Sequence, residues 1–174
     1  ERLLFASGAS KKMGTINEGN THSDFTEEEK HHKHSLHSAF LHFDFEGHLV
    51  NLVDTPGLVD FIGQAIAAFP AGETVAVTID ALKGIDSVTR RLFAVAEERR
   101  IPRLIIINKI DEASPERLEE LTDQVRATFG AVCLPINLPT AKGTKVINVF
   151  EHDGNDAAGD DTDFSSVHEA HKRI

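Results

Sequence analysis

The chain has 174 residues, 40% apolar and 26% charged, the makeup of about one ordinary globular domain. That excludes a collagen-like, wholly disordered or disulfide-scaffold protein. Lys and Arg number 18 against 28 Asp and Glu, a net charge of −10, which repels nucleic-acid backbone and argues against a DNA partner.

No apolar run, Leu104–Ile107 included, approaches the ~20 residues that span a bilayer. The N-terminus lacks a basic stretch followed by an apolar core, so no signal peptide and no membrane partner are expected. Cys133 is the sole cysteine, which rules out an intrachain disulfide and suits a cytoplasmic protein. The chain opens on Glu1, and its only methionine is Met13. Both ends read as uncapped helix, which predicts a piece of a longer chain.

In chain order, Glu1–Ser7 reads as the end of a helix with Gly8 as its C-cap. The polar stretch Ala9–Lys33 reads as a long loop. His37–Phe45 alternates, with Ala39, Leu41, Phe43 and Phe45 on one side, and predicts a half-buried strand. Glu46-Gly47 is a tight turn and Leu49–Val53 the returning strand of a hairpin. After Pro56-Gly57 a helix carries Phe61, Ala65, Ile66 and Phe69 on one face, with Asp60 as its cap. Thr74–Ile79 is a strand, Ser87–Arg99 a helix and Arg103–Ile107 a strand. Ser114-Pro115 caps a helix that runs to Phe129 and closes at Gly130. Val132–Leu138 reads as a further strand that buries Cys133. Residues 153–163 read as an acidic surface loop. Alternating strands and helices with apolar strands predict an α/β fold with a mostly parallel sheet.

In such sheets ligands bind beyond the strand ends. Two motifs stand there in order, Asp54-Thr55-Pro56-Gly57 and Asn108-Lys109-Ile110-Asp111. Alone, the first is turn chemistry and the second a polar loop. Together they describe a nucleotide site. Asp54 can hold Mg²⁺ through water. Gly57 lets its backbone N–H approach a terminal phosphate. Asp111 can accept both N1–H and the 2-amino group of guanine, which adenine does not offer. Asn108 would tie the loop to the base, and the Lys109 stem would lie across the ring. Asp80, just after a strand, reads as an acid that stabilises its own loop.

These residues resemble the GTP-binding domain of translation elongation factor G. Glu1–Phe5 resembles the helix after that family's phosphate loop. Lys12, Gly14 and Asp24-Phe25 fit the approach to its first switch. Asp54–Phe61 is similar to its second-switch signature, including Thr55 and Pro56. Ile101–Asp111 resembles its guanine-reading strand and loop. Leu134–Pro139 is similar to the strand that enters the family's insert subdomain. The resemblance implies a three-layer, P-loop-NTPase-like G domain whose mostly parallel sheet has one antiparallel edge strand. Residues 1–138 would be a truncated G domain lacking its phosphate loop, and residues 139–174 the start of the insert. It also implies GTP and GDP as ligands, Mg²⁺ held by Ser35 and Asp54, and the ribosome as partner.

Three departures from the family matter. The sequence has no Gly-x-x-x-x-Gly-Lys-Ser/Thr loop, which supplies most of the phosphate affinity. This chain alone is therefore expected to bind nucleotide poorly. Leu58 stands where the family has the water-positioning histidine, and leucine cannot orient water. The first switch reads Lys30-His31-His32-Lys33-His34-Ser35-Leu36, with Ser35 in the place of the metal-binding threonine. A divergent, elongation-factor-G-like GTPase of translation elongation is expected. The rivals are a G-fold scaffold that binds the ribosome or a protein without turnover, and a ribosomal-protection or release-factor GTPase. His31, His32, His34 and His37 lack metal-ligand spacing and read as a solvated basic loop, not a specific zinc site.

Overall fold

A computed structural model describes residues 1–151 and 162–174. The acidic stretch expected as a surface loop lies outside the described residues up to 161. The described chain divides into two units, one of residues 1–75 with 94–104, the other of residues 76–93 with 105–174.

The first unit opens with α1 (Arg2–Ala6) and carries α2 (Glu27–His32) inside the stretch expected to be a loop. The reason is a reciprocal capping box: the Thr26 hydroxyl accepts the Glu29 N–H, and the Glu29 carboxylate accepts the Thr26 N–H. This satisfies helix-end donors that a short helix otherwise loses to water. Strands β1 (Ala39–Phe45) and β2 (His48–Asp54) form the anticipated antiparallel hairpin, with Phe45 opposite His48. Glu46 (φ 49°) and Gly47 (φ 80°) take the left-handed geometry that a two-residue hairpin turn demands. A 3₁₀ turn at Val59–Phe61 leads into α3 (Ile62–Ala68). Asp60 sits inside that turn and makes no cap for α3, contrary to expectation, because Phe61 occupies the cap position.

Strands β3 (Val75–Asp80) and β4 (Arg103–Asn108) pair with each other. The Val75 N–H donates to Pro102 and the Ala81 N–H to Asn108, so both chains advance in the same direction and the pair is parallel. Helix α4 (Ser87–Glu98) is the crossover between them. In the second unit, α5 (Pro115–Phe129) starts where Ser114 accepts the Arg117 N–H and ends at Gly130, as anticipated. It lays Leu118, Leu121 and Val125 against Ile79 and Ala81, and this cluster is the unit's core. A second cluster joins Leu138 and Val149 to Val167 and Ala170 of α6 (Val167–Arg173).

The described strands pair as three two-stranded sheets. The apolar run of β4 is accordingly covered on one face only. Ile105 and Ile107 turn to the core, while Leu104 and Ile106 stay 40% and 42% exposed. The strand expected at Val132–Leu138 is displaced. It becomes β5 (Asn137–Thr140), paired antiparallel with β6 (Lys145–Asn148) in a register that sets Leu138 opposite Ile147. Cys133 lies outside any strand, half-buried against the core.

Candidate functional site

The first unit carries the residues expected to face phosphate and metal. Asp54 ends β2, where strand geometry stops and Thr55-Pro56-Gly57 begins. Pro56 is fully buried and anchors the turn, whereas Gly57 is exposed, with open space where a side chain would stand. Partial desolvation pushes the Asp54 carboxyl above its ordinary range although the residue keeps exposed surface; a hydrogen bond from Ser23 and the N-terminal ammonium oppose this, and the negative charges of Asp24 and Glu1 add to it. Asp24 is buried. It accepts the Ser35 hydroxyl at 2.6 Å and the Thr21 hydroxyl at 3.1 Å. Asp24 is therefore bonded directly to Ser35, one of the two residues expected to serve Mg²⁺.

Glu29 organises the segment between them. Its buried carboxylate accepts the N–H groups of Phe25, Thr26, Leu36 and His37 at 2.9–3.1 Å. Burial alone would raise this carboxyl, but the N–H donors of Thr26, His37 and Leu36 win and bring it to about 2. The His37 Nδ1 lies 3.5 Å away. The other histidines sit on the exposed side. His31 and His32 meet edge to face with centroids 5.0 Å apart, and His32 and His34 are 5.8 Å apart. Among the described residues no group of three or more His, Cys, Asp or Glu is gathered as a metal cage.

Leu58 precedes the 3₁₀ turn, with extended backbone and a side chain 44% exposed. Its carbonyl accepts the Phe61 N–H, and its side chain has nothing to offer a water molecule.

The second unit carries the residues expected to read the base. Asn108 ends β4, and its carbonyl accepts the Ala81 N–H from the neighbouring strand. Lys109 turns the chain with φ 59°, and Asp111 sits exposed in the 3₁₀ turn Ile110–Glu112. The Lys109 ammonium lies 2.9 Å from Asp80, at the end of β3. Asp80 also accepts the N–H groups of Leu82 and Lys83. These contacts, the lysine first, hold the Asp80 carboxyl at about 2 and raise Lys109. Asp80 thus stabilises its own loop, as expected, and tethers Lys109 as well.

Three structural features near these residues escaped the sequence reading. The capping box was written in Thr26-Glu27-Glu28-Glu29. Asp24 was singled out with the approach to the first switch, but its bond to Ser35, 11 residues on, had no local signal. The turn Ala141–Gly143, which lies against the Ile110–Asp111 peptide, had none either.

Residues 1–170 match the family described as the elongation factor Tu GTP binding domain, and the chain belongs to that family. Among its relatives is the mitochondrial ribosome-releasing factor 2 of Culex quinquefasciatus, 32% identical over 151 residues, or 87% of this chain and 20% of that protein. The elongation factor G-like protein of Mycobacterium tuberculosis is 35% identical over 143 residues, or 82% of this chain and 20% of that protein. A crystal structure from Thermus thermophilus superposes with a TM-score of 0.79 at 34% identity, covering 87% of this chain and 23% of that one. The chain therefore spans about a fifth of the length of these relatives. Its fold is that of a translational GTPase G domain. Among the described residues no helix is long and apolar enough to cross a membrane.

Proposed function

We propose that the chain is the GTP-binding domain of an elongation-factor-G-like translation factor, and that the whole protein hydrolyses GTP in the cytoplasm during elongation on the ribosome. The observation that carries the reading is the loop Asn108–Asp111, displayed at the end of β4 with an exposed carboxylate on Asp111. In this reading Asp111 accepts the two donors on one edge of guanine, Asn108 braces the loop, and the Lys109 stem covers the base. Asp54, Thr55, Pro56 and Gly57 form the phosphate side, where Gly57 is exposed with open space where a side chain would stand. Residues 1–138 make up the G domain and residues 139–174 open the insert. In this reading the fold is the three-layer G domain, mostly parallel with one antiparallel edge strand.

Mg²⁺ fits the residues at hand. Ser35 and Asp54 offer only oxygen donors, which this hard cation prefers together with substrate phosphates and water. When bound, the ion supplies charge neutralisation at the phosphate oxygens. The protein's own part is to orient Ser35 through Asp24, seat Asp54 at the strand end and present the Gly57 N–H.

The test is a titration of labelled GDP and GTP, with Mg²⁺, into the full-length gene product. Asp111→Asn serves as control and is expected to turn preference from guanine to xanthine. No binding up to millimolar nucleotide overturns the reading. Leu58 favours a second one, a G-fold scaffold that binds the ribosome or a protein partner without turnover. GTP turnover with ribosomes present separates the two. Which ribosomal step responds separates elongation from ribosomal protection or release.

A further inference from the structure

The turn between β5 and β6 has an unusual backbone. Ala141 (φ 52°), Lys142 (φ 56°) and Gly143 (φ 73°) are all left-handed in succession. The two adjacent N–H groups of Lys142 and Gly143 point to one acceptor, the Asp163 carboxylate, at 2.8 and 2.6 Å. Successive N–H groups in such a concavity hold an anion, and here the chain supplies its own. Asp163 is itself tied to β5, because its N–H donates to the Pro139 carbonyl at 2.9 Å. The Thr144 hydroxyl closes the turn on the Ala141 carbonyl.

The turn is pressed against the base-reading loop. A methyl group on Gly143 would stand 2.5 Å from the Ile110 oxygen and 2.9 Å from the Asp111 nitrogen. Gly143 is buried. Only a residue without a side chain satisfies both its φ and this approach. The peptide between Ile110 and Asp111 therefore has the Gly143 backbone as one wall, and the Asp163 latch sets where that wall stands.

We propose that the β5–β6 turn, latched by Asp163, positions the Asp111 carboxylate and so sets discrimination for the 2-amino group of guanine. Gly143 and Asp163 are positioning residues that touch no nucleotide themselves. The inference rests on the proposed role of Asp111. A carboxylate displaced by the width of a methyl group keeps a bond to the ring N1–H but loses alignment with the second donor. Inosine nucleotides lack that second donor and feel the displacement less.

Two measurements decide it. In this chain, NMR follows the amides of residues 108–113 in Gly143→Ala and Asp163→Ala. Shifted resonances and faster hydrogen exchange at Glu112 and Ala113 are expected, with Asp163→Asn between Ala and wild type because one acceptor oxygen remains. In the full-length gene product, labelled GDP and IDP are titrated against the same variants. The GDP-over-IDP preference is expected to fall by about tenfold, the worth of one charge-assisted hydrogen bond. A merely destabilised fold lowers both affinities and leaves the ratio alone. Unmoved amides, or an unchanged ratio in variants that remain folded, overturn the proposal. If Asp111→Asn fails to turn preference to xanthine, the nucleotide reading falls and the amide data still decide whether the turn positions the loop.

Discussion

The ammonium of Lys109 lies 2.9 Å from the carboxylate of Asp80, and the two residues sit at the ends of the paired strands β4 and β3. The contact fixes a left-handed residue in the Asn108–Asp111 loop. It also ties that loop to the neighbouring strand at a point where ladder hydrogen bonding ends.

This ion pair makes a titration prediction. Asp80 is held at about 2 against an ordinary 3.8. A depressed carboxyl contributes stability above its unfolded pKa, and that contribution fades as pH falls from the ordinary value through the folded one. Carboxyl NMR is expected to give a midpoint near 2 for Asp80. In Asp80→Asn the raised Lys109 pKa should fall back toward the ordinary lysine value. An Asp80 midpoint at the ordinary value would show that the contact does not persist in solution.

Glu29 makes a stability prediction for the first unit. Its carboxylate caps α2 and also accepts the Leu36 and His37 N–H groups. Glu29→Ala removes the cap and strands these donors, a loss of about 2–3 kcal/mol. Urea unfolding measures it, with the neighbouring Glu28→Ala expected within about 0.5 kcal/mol of wild type. The Glu29 carboxyl lies at about 2 against an ordinary 4.5. Its contribution is therefore complete above the ordinary value and declines as pH drops toward 2.

Core packing in the second unit predicts a larger loss. Leu121 is fully buried among Ile79, Ala81, Leu118 and Val125. Leu121→Ala is expected to destabilise by about 2–5 kcal/mol, transfer and cavity terms together. Thermal unfolding followed by circular dichroism reads it. A loss under about 1 kcal/mol would mean that α5 does not seat as described.

Leu58 makes the functional prediction. Leu58→His restores a group able to orient water at an exposed position that tolerates the change. Ribosome-stimulated GTP hydrolysis by the full-length gene product is expected to rise by about 10²–10⁴, the usual range for a positioned acid–base group. Nucleotide affinity should change little. An unaltered rate would place the limit elsewhere and favour the scaffold reading.

Much of the fold was legible because its signals are local. Ser114-Pro115 and Gly130 bracket α5, and Glu46-Gly47 turns the hairpin, since caps and two-residue turns are decided by the residues they contain. The T-x-x-E box of α2 was equally local and was overlooked inside a polar stretch. The misplaced strand is a different case. Val132–Leu138 has apolar residues enough, but the strand forms at Asn137–Thr140 because that is where β6 supplies partners. Strand register is a property of two segments, and neither states it alone.

The candidate site divides in the same way. The motifs Asp54–Gly57 and Asn108–Asp111, the family and the leucine at position 58 all come from residue identity and order, which suffice where chemistry needs particular side chains at a strand end. The bond from Ser35 to Asp24, the Lys109–Asp80 pair and the seat of Gly143 against the Ile110–Asp111 peptide join residues 11, 29 and about 32 positions apart. Hydrogen bonds and steric contacts act over a few ångströms, and only the folded chain decides which distant residues come within that reach.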